Sequence, residues 1–227
     1  MTTKIFFIHT VSGLHGMFND LCEKHMEGNY ITRHISDESL IQRALKVGGL
    51  TPVLYKHLCN YVCSAEEAGA DIIQVTCSSY SPAVDVAAKL VDVPVLKIDK
   101  PIAETVVSKH EKIGVIATAS STFGPSTDIV RDTACEMELD REIVPVFCEG
   151  AYEAMFAGDQ KTHDRIVTEN LKDLMQKVDA IILAQASMAR VAEQMPDEEK
   201  IVPLYTSPEP AIEHLAERVK EIQGGAQ

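Results

Sequence analysis

Short apolar runs rich in β-branched residues alternate with segments of helical period along the whole chain. The runs lie at 4–9, 71–76, 93–98, 112–117, 142–147, 179–184 and 200–204, and the helical segments at about 38–47, 52–68, 82–90, 101–110, 125–138, 161–177 and 208–222. Strands that are apolar along their whole length are buried on both faces, which is typical of parallel sheets covered by crossover helices. The pattern therefore predicts an α/β fold. Pro145 predicts that its strand is weakened or lies at a sheet edge.

The two halves of the sequence repeat each other at a constant shift. Three pairs of landmarks are each separated by 108 residues: Lys4 and Lys112, Thr10 and Thr118, Asp71 and Asp179. Two βα units can share such patterns by chance, but an ungapped shift favours internal duplication. We therefore predict two pseudo-symmetric parallel-sheet lobes with helices on both faces and an active-site cleft between them. Residues 1–100 with 205–227 form the first predicted lobe, and residues 101–204 form the second.

Composition excludes several classes of function. With 34 acidic and 21 basic residues the net charge is −13, whereas nucleic acids and anionic membranes attract an excess of Lys and Arg. No apolar run is long enough to span a bilayer. The six cysteines show no disulfide framework, so we expect reduced thiols in a cytoplasmic protein. We expect a homo-oligomer that binds a small molecule, with neither nucleic acid nor membrane as its partner.

Polar, hydroxyl-rich residues follow four of the predicted strands, as in "HTVS", "CSSYS", "ATASST" and "QAS". Ligands of open parallel sheets bind beyond the carboxyl ends of the strands. Backbone N–H groups at helix starts, together with hydroxyls, can bind a carboxylate. The same residues could instead serve only as helix N-caps. The predicted substrate-binding residues are His9, Thr10, Ser12, Ser78, Ser79, Thr118, Ser121, Thr122 and Ser187.

Cys77 is the predicted catalytic residue of this group. It follows an apolar strand and precedes a predicted helix. The N-terminus of a helix lowers the pKa of a nearby thiol, so we expect an accessible thiolate here.

Over nearly all of its 227 residues the chain resembles the aspartate/glutamate/hydantoin racemase superfamily, whose relatives include maleate isomerase and arylmalonate decarboxylase. The resemblance lies in "DIIQVTCSS" with Cys77, "GVIATASSTFGPS" with Thr118, and "DAIILAQASM" with Gln185. It implies a cofactor-independent enzyme, without a metal, that binds a small carboxylic acid between two lobes. It also implies that cysteines transfer the protons.

The sequence departs from the family pattern at Gln185, which stands where the family usually has a second cysteine. Racemisation by two bases needs an acid or base on each face of the carbon, and an amide supplies neither. We therefore expect one-sided chemistry at Cys77, with Gln185 hydrogen-bonded to an oxyanion. The predicted activity is that of a racemase or isomerase. A lyase of decarboxylase type and a non-catalytic protein that binds small acids are the alternatives.

Three further groups of residues leave two interpretations open. His163 and Asp164 could act as a general base or lie at a solvated helix start. Asp37 is a cap or a cleft residue. Cys59 and Cys63, four residues apart, are better explained as core thiols than as metal ligands.

Overall fold

The protein consists of two compact units, each built on its own four-stranded parallel sheet, in a computed structural model that describes residues 2–225. The first unit consists of two segments, one that ends at Pro101 and one that begins at Pro208. The second unit is Ile102–Ser207. Helices cover both faces of each sheet. The predicted α/β class, with two parallel-sheet lobes, is confirmed.

The strands are β1 (Thr3–His9), β2 (Tyr30–Ser36), β3 (Ile72–Val75), β4 (Val95–Lys97), β5 (Lys112–Ala117), β6 (Glu142–Phe147), β7 (Ala180–Leu183) and β8 (Leu204–Thr206). The α-helices are α1 (His15–His25), α2 (Glu38–Val47), α3 (Pro52–Glu67), α4 (Ser81–Ala87), α5 (Lys100–Lys109), α6 (Ser120–Glu136), α7 (Ala151–Phe156), α8 (Gln160–Met175), α9 (Ala186–Gln194) and α10 (Pro208–Gly225). A 3-10 turn, Ser78–Tyr80, joins β3 to α4. None of these helices is long and apolar enough to cross a membrane.

The first sheet has the strand order β2-β1-β3-β4. Side chains of β1 alternate between its two faces. Ile5 and Phe7 pack with residues of α1 and α10, and Phe6 and Ile8 pack with residues of α2, α3 and α4. A central strand buried on both faces in this way accounts for the continuous apolar run in the sequence.

The second sheet has the equivalent order, β6-β5-β7-β8. Equivalent hydrogen bonds open both sheets, because Lys4 N donates to Asp71 Oδ2 at 2.7 Å and Lys112 N donates to Asp179 Oδ2 at 2.8 Å. The shift of 108 residues therefore recurs in the backbone pairing. Its origin in a duplication stays a prediction.

The edge strands show where sequence patterns are informative and where they are not. The predicted edge position of the strand that contains Pro145 is confirmed, since β6 pairs only with β5. Strand β2 is absent from the predicted elements because its sequence, YITRHIS, is polar at several positions and only partly buried. An edge strand tolerates such residues because it has one neighbour and is less enclosed. Helices α1, α7 and α9 were also not predicted.

Candidate active site

The carboxyl end of β3 places Cys77 at the start of a helical segment. Its backbone is extended, with φ −129° and ψ 111°, and the 3-10 turn begins at the next residue. The Cys77 carbonyl accepts a hydrogen bond from Tyr80 N at 2.9 Å. The residue is half-buried as a whole. The thiol therefore lies at the sheet edge where ligands of parallel sheets bind.

The expected lowering of the Cys77 pKa is wrong. Burial of the thiol raises its pKa above the ordinary value of 9.0. Hydrogen bonds from the side chains of Thr10 and Ser79 and from the backbone N–H groups of Ser79 and Tyr80 lower it, and they are outweighed. A helix start favours the thiolate only where solvent or a cation also stabilises the charge. Cys77 is therefore a thiol rather than a thiolate at neutral pH.

Two of the predicted residues at the end of β1 are enclosed. Thr10 is 1% exposed, and its hydroxyl has no hydrogen-bonding oxygen or nitrogen within residues 2–225. The hydroxyl lies beside the Cys77 sulfur and lowers the pKa of that thiol. His9 is fully buried, with Nδ1 at 2.8 Å from Thr76 Oγ1 and Nε2 at 2.9 Å from His34 Nδ1. Both ring nitrogens of His9 are occupied by protein groups, which speaks against the predicted contact with substrate.

Ser12 already holds a carboxylate of the chain itself. Its backbone N–H donates to Glu38 Oε1 at 3.0 Å, and hydrogen bonds from Ser12 lower the pKa of Glu38. Ser12 and Glu38 are both exposed. The loop after β1 therefore binds a carboxylate of the chain, and a substrate there would have to displace Glu38.

The two serines after Cys77 differ in their surroundings. Ser79 is buried and lowers the pKa of the thiol. Ser78 is half-buried and hydrogen-bonds to Asp99, a buried carboxyl group that follows β4. Ser81 Oγ lies 2.7 Å and 2.8 Å from the two carboxyl oxygens of Asp99. Asp99 thus fixes the segment that carries Cys77.

In the second unit, Gln185 hydrogen-bonds to the loop that follows β5. Gln185 Oε1 accepts hydrogen bonds from Thr118 N at 2.6 Å, Thr118 Oγ1 at 3.0 Å and Ala119 N at 3.1 Å. Backbone N–H groups only donate, so the atom that faces them is the amide oxygen. The Nε2 group has no hydrogen-bond partner within residues 2–225. Gln185 therefore occupies the anion cradle predicted at Thr118 and presents two N–H donors instead.

The remaining predicted residues of the second unit lie in first helical turns. Ser121 and Thr122 are buried in the first turn of α6, and the Thr122 N–H donates to the Ala119 carbonyl at 3.1 Å. Ser187 is the second residue of α9, and its buried hydroxyl has no partner within residues 2–225. The hydroxyl of Ser187 is therefore available to an acceptor.

Comparison with known proteins decides the family. Residues 30–215 match the model of the Asp/Glu/Hydantoin racemase family. The chain belongs to this racemase family. The predicted resemblance is confirmed, although none of the curated protein sequences compared with the chain matches it.

Solved racemases share the fold at low sequence identity. A glutamate racemase from Bacillus anthracis is 16% identical with a TM-score of 0.72, over 96% of this chain and 82% of its own. An aspartate racemase from Picrophilus torridus is 13% identical with a TM-score of 0.68, over 97% and 98%. An allantoin racemase from Klebsiella pneumoniae is 14% identical with a TM-score of 0.65, over 98% and 89%. At these identities the likeness shows the racemase fold.

Several other residues of this racemase-family chain have structural roles. Asp37 caps α2, accepting from Ser39 N at 2.9 Å, and also accepts from Tyr61 Oη at 2.7 Å. His163 is fully buried, with Nδ1 at 2.8 Å from Asp164 Oδ1, and Asp164 pairs with Arg190. Cys59 packs in the core of the first unit, as expected.

Sequence inspection missed Asp99, although a signal was present. Asp99 directly follows the apolar run 93–98, so it lies at a strand end like the residues that were selected. It was passed over because no hydroxyl cluster accompanies it. The partners of Asp99, Ser78 and Ser81, lie about twenty residues earlier in the chain and are recognisable only from the structure.

Asp99 makes folding stability depend on pH in an unusual direction. Burial raises its pKa to about 6 from the ordinary value of 3.8, against lowering by Ser81, Ser78 and Lys97. A carboxyl group with a raised folded-state pKa favours folding below about pH 4, and this contribution is lost as pH rises through about 6. We expect a loss of about 3 kcal/mol from this group.

Urea unfolding of the protein and of Asp99→Asn between pH 4 and pH 7.5 measures this loss. The free energy of unfolding of the unsubstituted protein, relative to the variant, should fall over this range. Asp85→Asn, which removes an exposed partner of Lys97, is the control and should show no such relative fall. Parallel pH curves for the protein and Asp99→Asn would contradict the prediction.

Proposed function

We propose that this protein is a cofactor-independent racemase-type enzyme that acts on a small carboxylate-bearing substrate through the thiol of Cys77. The observation that carries the proposal is a buried, protonated thiol at the carboxyl end of β3, hydrogen-bonded by Thr10 and Ser79. Membership of the racemase family supports it. Two of the solved neighbours are named for the amino acids glutamate and aspartate, and the third for allantoin.

The protonation state of Cys77 suits proton donation to a carbanion. A thiol with a raised pKa holds its proton at neutral pH and transfers it to a carbanion. The carbanion forms either by loss of carbon dioxide or by removal of the α-hydrogen by the thiolate form of Cys77, which is the minor form at this pH. The sulfur is then left as a thiolate, which hydrogen bonds from Thr10, Ser79 and the N–H groups of Ser79 and Tyr80 stabilise. The proton must return from solvent or from the next substrate to complete the cycle.

We infer that Gln185 binds the substrate carboxylate. Its amide oxygen is bound by Thr118 and Ala119, so its Nε2–H₂ group is the part left to donate. An amide can orient an anion and neutralise it in part, but it cannot exchange protons with carbon. Proton transfer is therefore one-sided, with Cys77 as the single acid–base residue.

The same arrangement supports a second candidate, a lyase that protonates the carbanion left by loss of carbon dioxide. Such a reaction consumes one proton on one face and needs no second thiol. A protein that binds small acids without turnover is the third candidate. Gln185, at the position where the resemblance implies a second cysteine, is the residue that keeps these alternatives beside racemisation.

Incubation with a panel of chiral and malonate-type carboxylic acids in deuterated water separates the three. One-sided enzymatic exchange replaces the α-hydrogen with deuterium and keeps a single configuration, which proton NMR and chiral chromatography detect. Release of carbon dioxide identifies the lyase. Rapid loss of configuration from both enantiomers would contradict the one-sided mechanism. Binding that protects the thiol without any turnover would identify the binding protein and reject the enzyme.

A further inference from the structure

Three histidines converge at the edge of the first sheet that also carries Cys77. His9 ends β1, His34 lies on β2 and His15 opens α1. Their rings are 5.2 Å apart (His9–His34), 4.4 Å apart (His15–His34) and 5.2 Å apart (His9–His15) between centroids. Each ring contributes one nitrogen, and these three nitrogens all lie within 4.8 Å of one another. Three imidazole nitrogens this close together can coordinate one transition-metal ion.

Thr76 offers His9 an oxygen that can accept its outer N–H. The Thr76 hydroxyl lies 3.2 Å from the Ile8 carbonyl and 2.8 Å from His9 Nδ1. When the hydroxyl donates its one hydrogen to the carbonyl, it accepts from Nδ1, and a neutral His9 then has its lone pair on Nε2. When it donates to Nδ1, His9 carries its hydrogen on Nε2 instead.

Asn19 offers His34 an oxygen that can accept its outer N–H. His34 Nε2 lies 3.1 Å from Asn19 Oδ1, an oxygen that also accepts from Thr32 Oγ1 at 2.9 Å. The amide oxygen can only accept, so His34 donates from Nε2 and carries a lone pair on Nδ1.

His9 Nε2 and His34 Nδ1 lie 2.9 Å apart. Without a metal, His9 Nε2 donates its hydrogen to the lone pair of His34 Nδ1. A metal ion can replace that hydrogen, because Thr76 Oγ1 then accepts the hydrogen of His9 from Nδ1. A histidine that donates its outer N–H to a protein oxygen while its inner nitrogen faces a shared point is the usual arrangement around bound metal.

We propose that His9, His34 and His15 bind one divalent transition-metal ion of the zinc class. His9 Nε2 and His34 Nδ1 supply two ligands, and a ring nitrogen of the exposed His15 supplies the third. Three imidazoles leave one position of a tetrahedral ion open to water or to an anion. Thr76 and Asn19 are positioning residues, because they accept the outer N–H groups of His9 and His34 without touching the ion.

The metal ties together the parts of the first unit that surround Cys77. It links the ends of β1 and β2 to the start of α1, and His9 contacts Thr76, the residue directly before Cys77. The proposal extends beyond the cofactor-independent function proposed above. It does not depend on that function, because metal binding is measured without substrate.

The test begins with protein freed of metal by a chelator and titrated with Co²⁺ and Zn²⁺. We expect one equivalent of Co²⁺ to bind, with the visible absorption of a tetrahedral or five-coordinate site, and Zn²⁺ to displace it. His15→Ala removes an exposed ligand and should weaken Zn²⁺ binding by at least about tenfold. Thr76→Val removes only the hydroxyl that positions His9 and should weaken binding by about 10-fold to 100-fold. Circular dichroism and thermal unfolding without metal establish that both variants fold.

His25→Ala is the matched control. His25 lies near the exposed carboxylates Glu209 and Glu213, which form the other group of potential ligands within residues 2–225. Its loss should leave the affinity for Zn²⁺ unchanged. Loss of binding in His25→Ala together with full binding in His15→Ala would overturn the proposal.

Nitrogen-15 NMR of the imidazoles tests whether a metal replaces the hydrogen bond between His9 and His34. A hydrogen between the two rings that persists when Zn²⁺ is added would overturn the metal site. Loss of that signal at one equivalent of Zn²⁺ supports the site.

Discussion

Replacing Cys77 with serine should lower turnover by about 10²-fold to 10⁴-fold, the range that a positioned acid or base contributes. A serine hydroxyl is a far weaker acid than a thiol and yields its proton to a carbanion much more slowly. The fold should survive, because Thr10, Ser79 and the backbone N–H groups can hydrogen-bond to oxygen as they do to sulfur. The measurement is kcat for solvent deuterium exchange on the acid identified by the screen above.

Cys63→Ser is the control for this substitution. Cys63 is a half-buried free thiol of the same unit, on α3, and has no part in the proposed chemistry. Its loss should leave kcat unchanged. Full activity in Cys77→Ser would reject the assignment of Cys77 as the proton-transferring residue.

The raised pKa gives the thiol a second signature. Because the folded-state pKa lies above 9.0, alkylation of Cys77 should be slow at neutral pH and should accelerate only in alkaline solution. A bound carboxylic acid should protect it. Fast alkylation near pH 7 would show that the thiol is not buried enough to raise its pKa.

Two substitutions at Gln185 should have opposite effects on stability and on substrate binding. Gln185→Leu leaves Thr118 N, Thr118 Oγ1 and Ala119 N without their acceptor. We expect a loss of about 1–3 kcal/mol in the free energy of unfolding, the cost of buried donors left unpaired. Gln185→Glu keeps an acceptor for the same three donors and should keep the stability of the protein.

Gln185→Glu should instead weaken substrate binding. It replaces the Nε2 donors with a carboxylate, whose negative charge repels the carboxylate of the substrate. KM for a carboxylate should therefore rise by about 10-fold to 100-fold, equivalent to about 1.5–3 kcal/mol. Urea unfolding and steady-state kinetics on both variants distinguish the two roles. An unchanged KM in Gln185→Glu would reject Gln185 as a ligand of the substrate.

Gln185→Cys tests the one-sided mechanism from the other direction. A thiol at this position could supply the second acid or base that two-base racemisation needs. We expect slow racemisation to appear in this variant, together with some loss of stability, since sulfur is a weak acceptor for the three donors. A variant that binds the acid and exchanges its α-hydrogen on one face only would show that a second thiol is not sufficient.

Local sequence determined the class of fold and the position of the thiol. Runs buried on both faces require a parallel sheet covered by helices, so the alternation along the chain was enough to predict the α/β class. Pro145 placed β6 at an edge because proline cannot donate to a second neighbouring strand. Cys77 was identified because a polar residue that follows an apolar strand lies at the edge of the sheet where ligands bind.

Only the tertiary structure decided the chemical state of these residues. Burial raises the pKa of Cys77, and local sequence, which showed only a helix start, predicted the opposite. The amide of Gln185 meets Thr118 across 67 residues of chain, and His9 meets His34 across 25. Protonation and hydrogen-bond direction depend on desolvation and on partners brought together by folding, whereas a strand or helix depends on the period of its own residues.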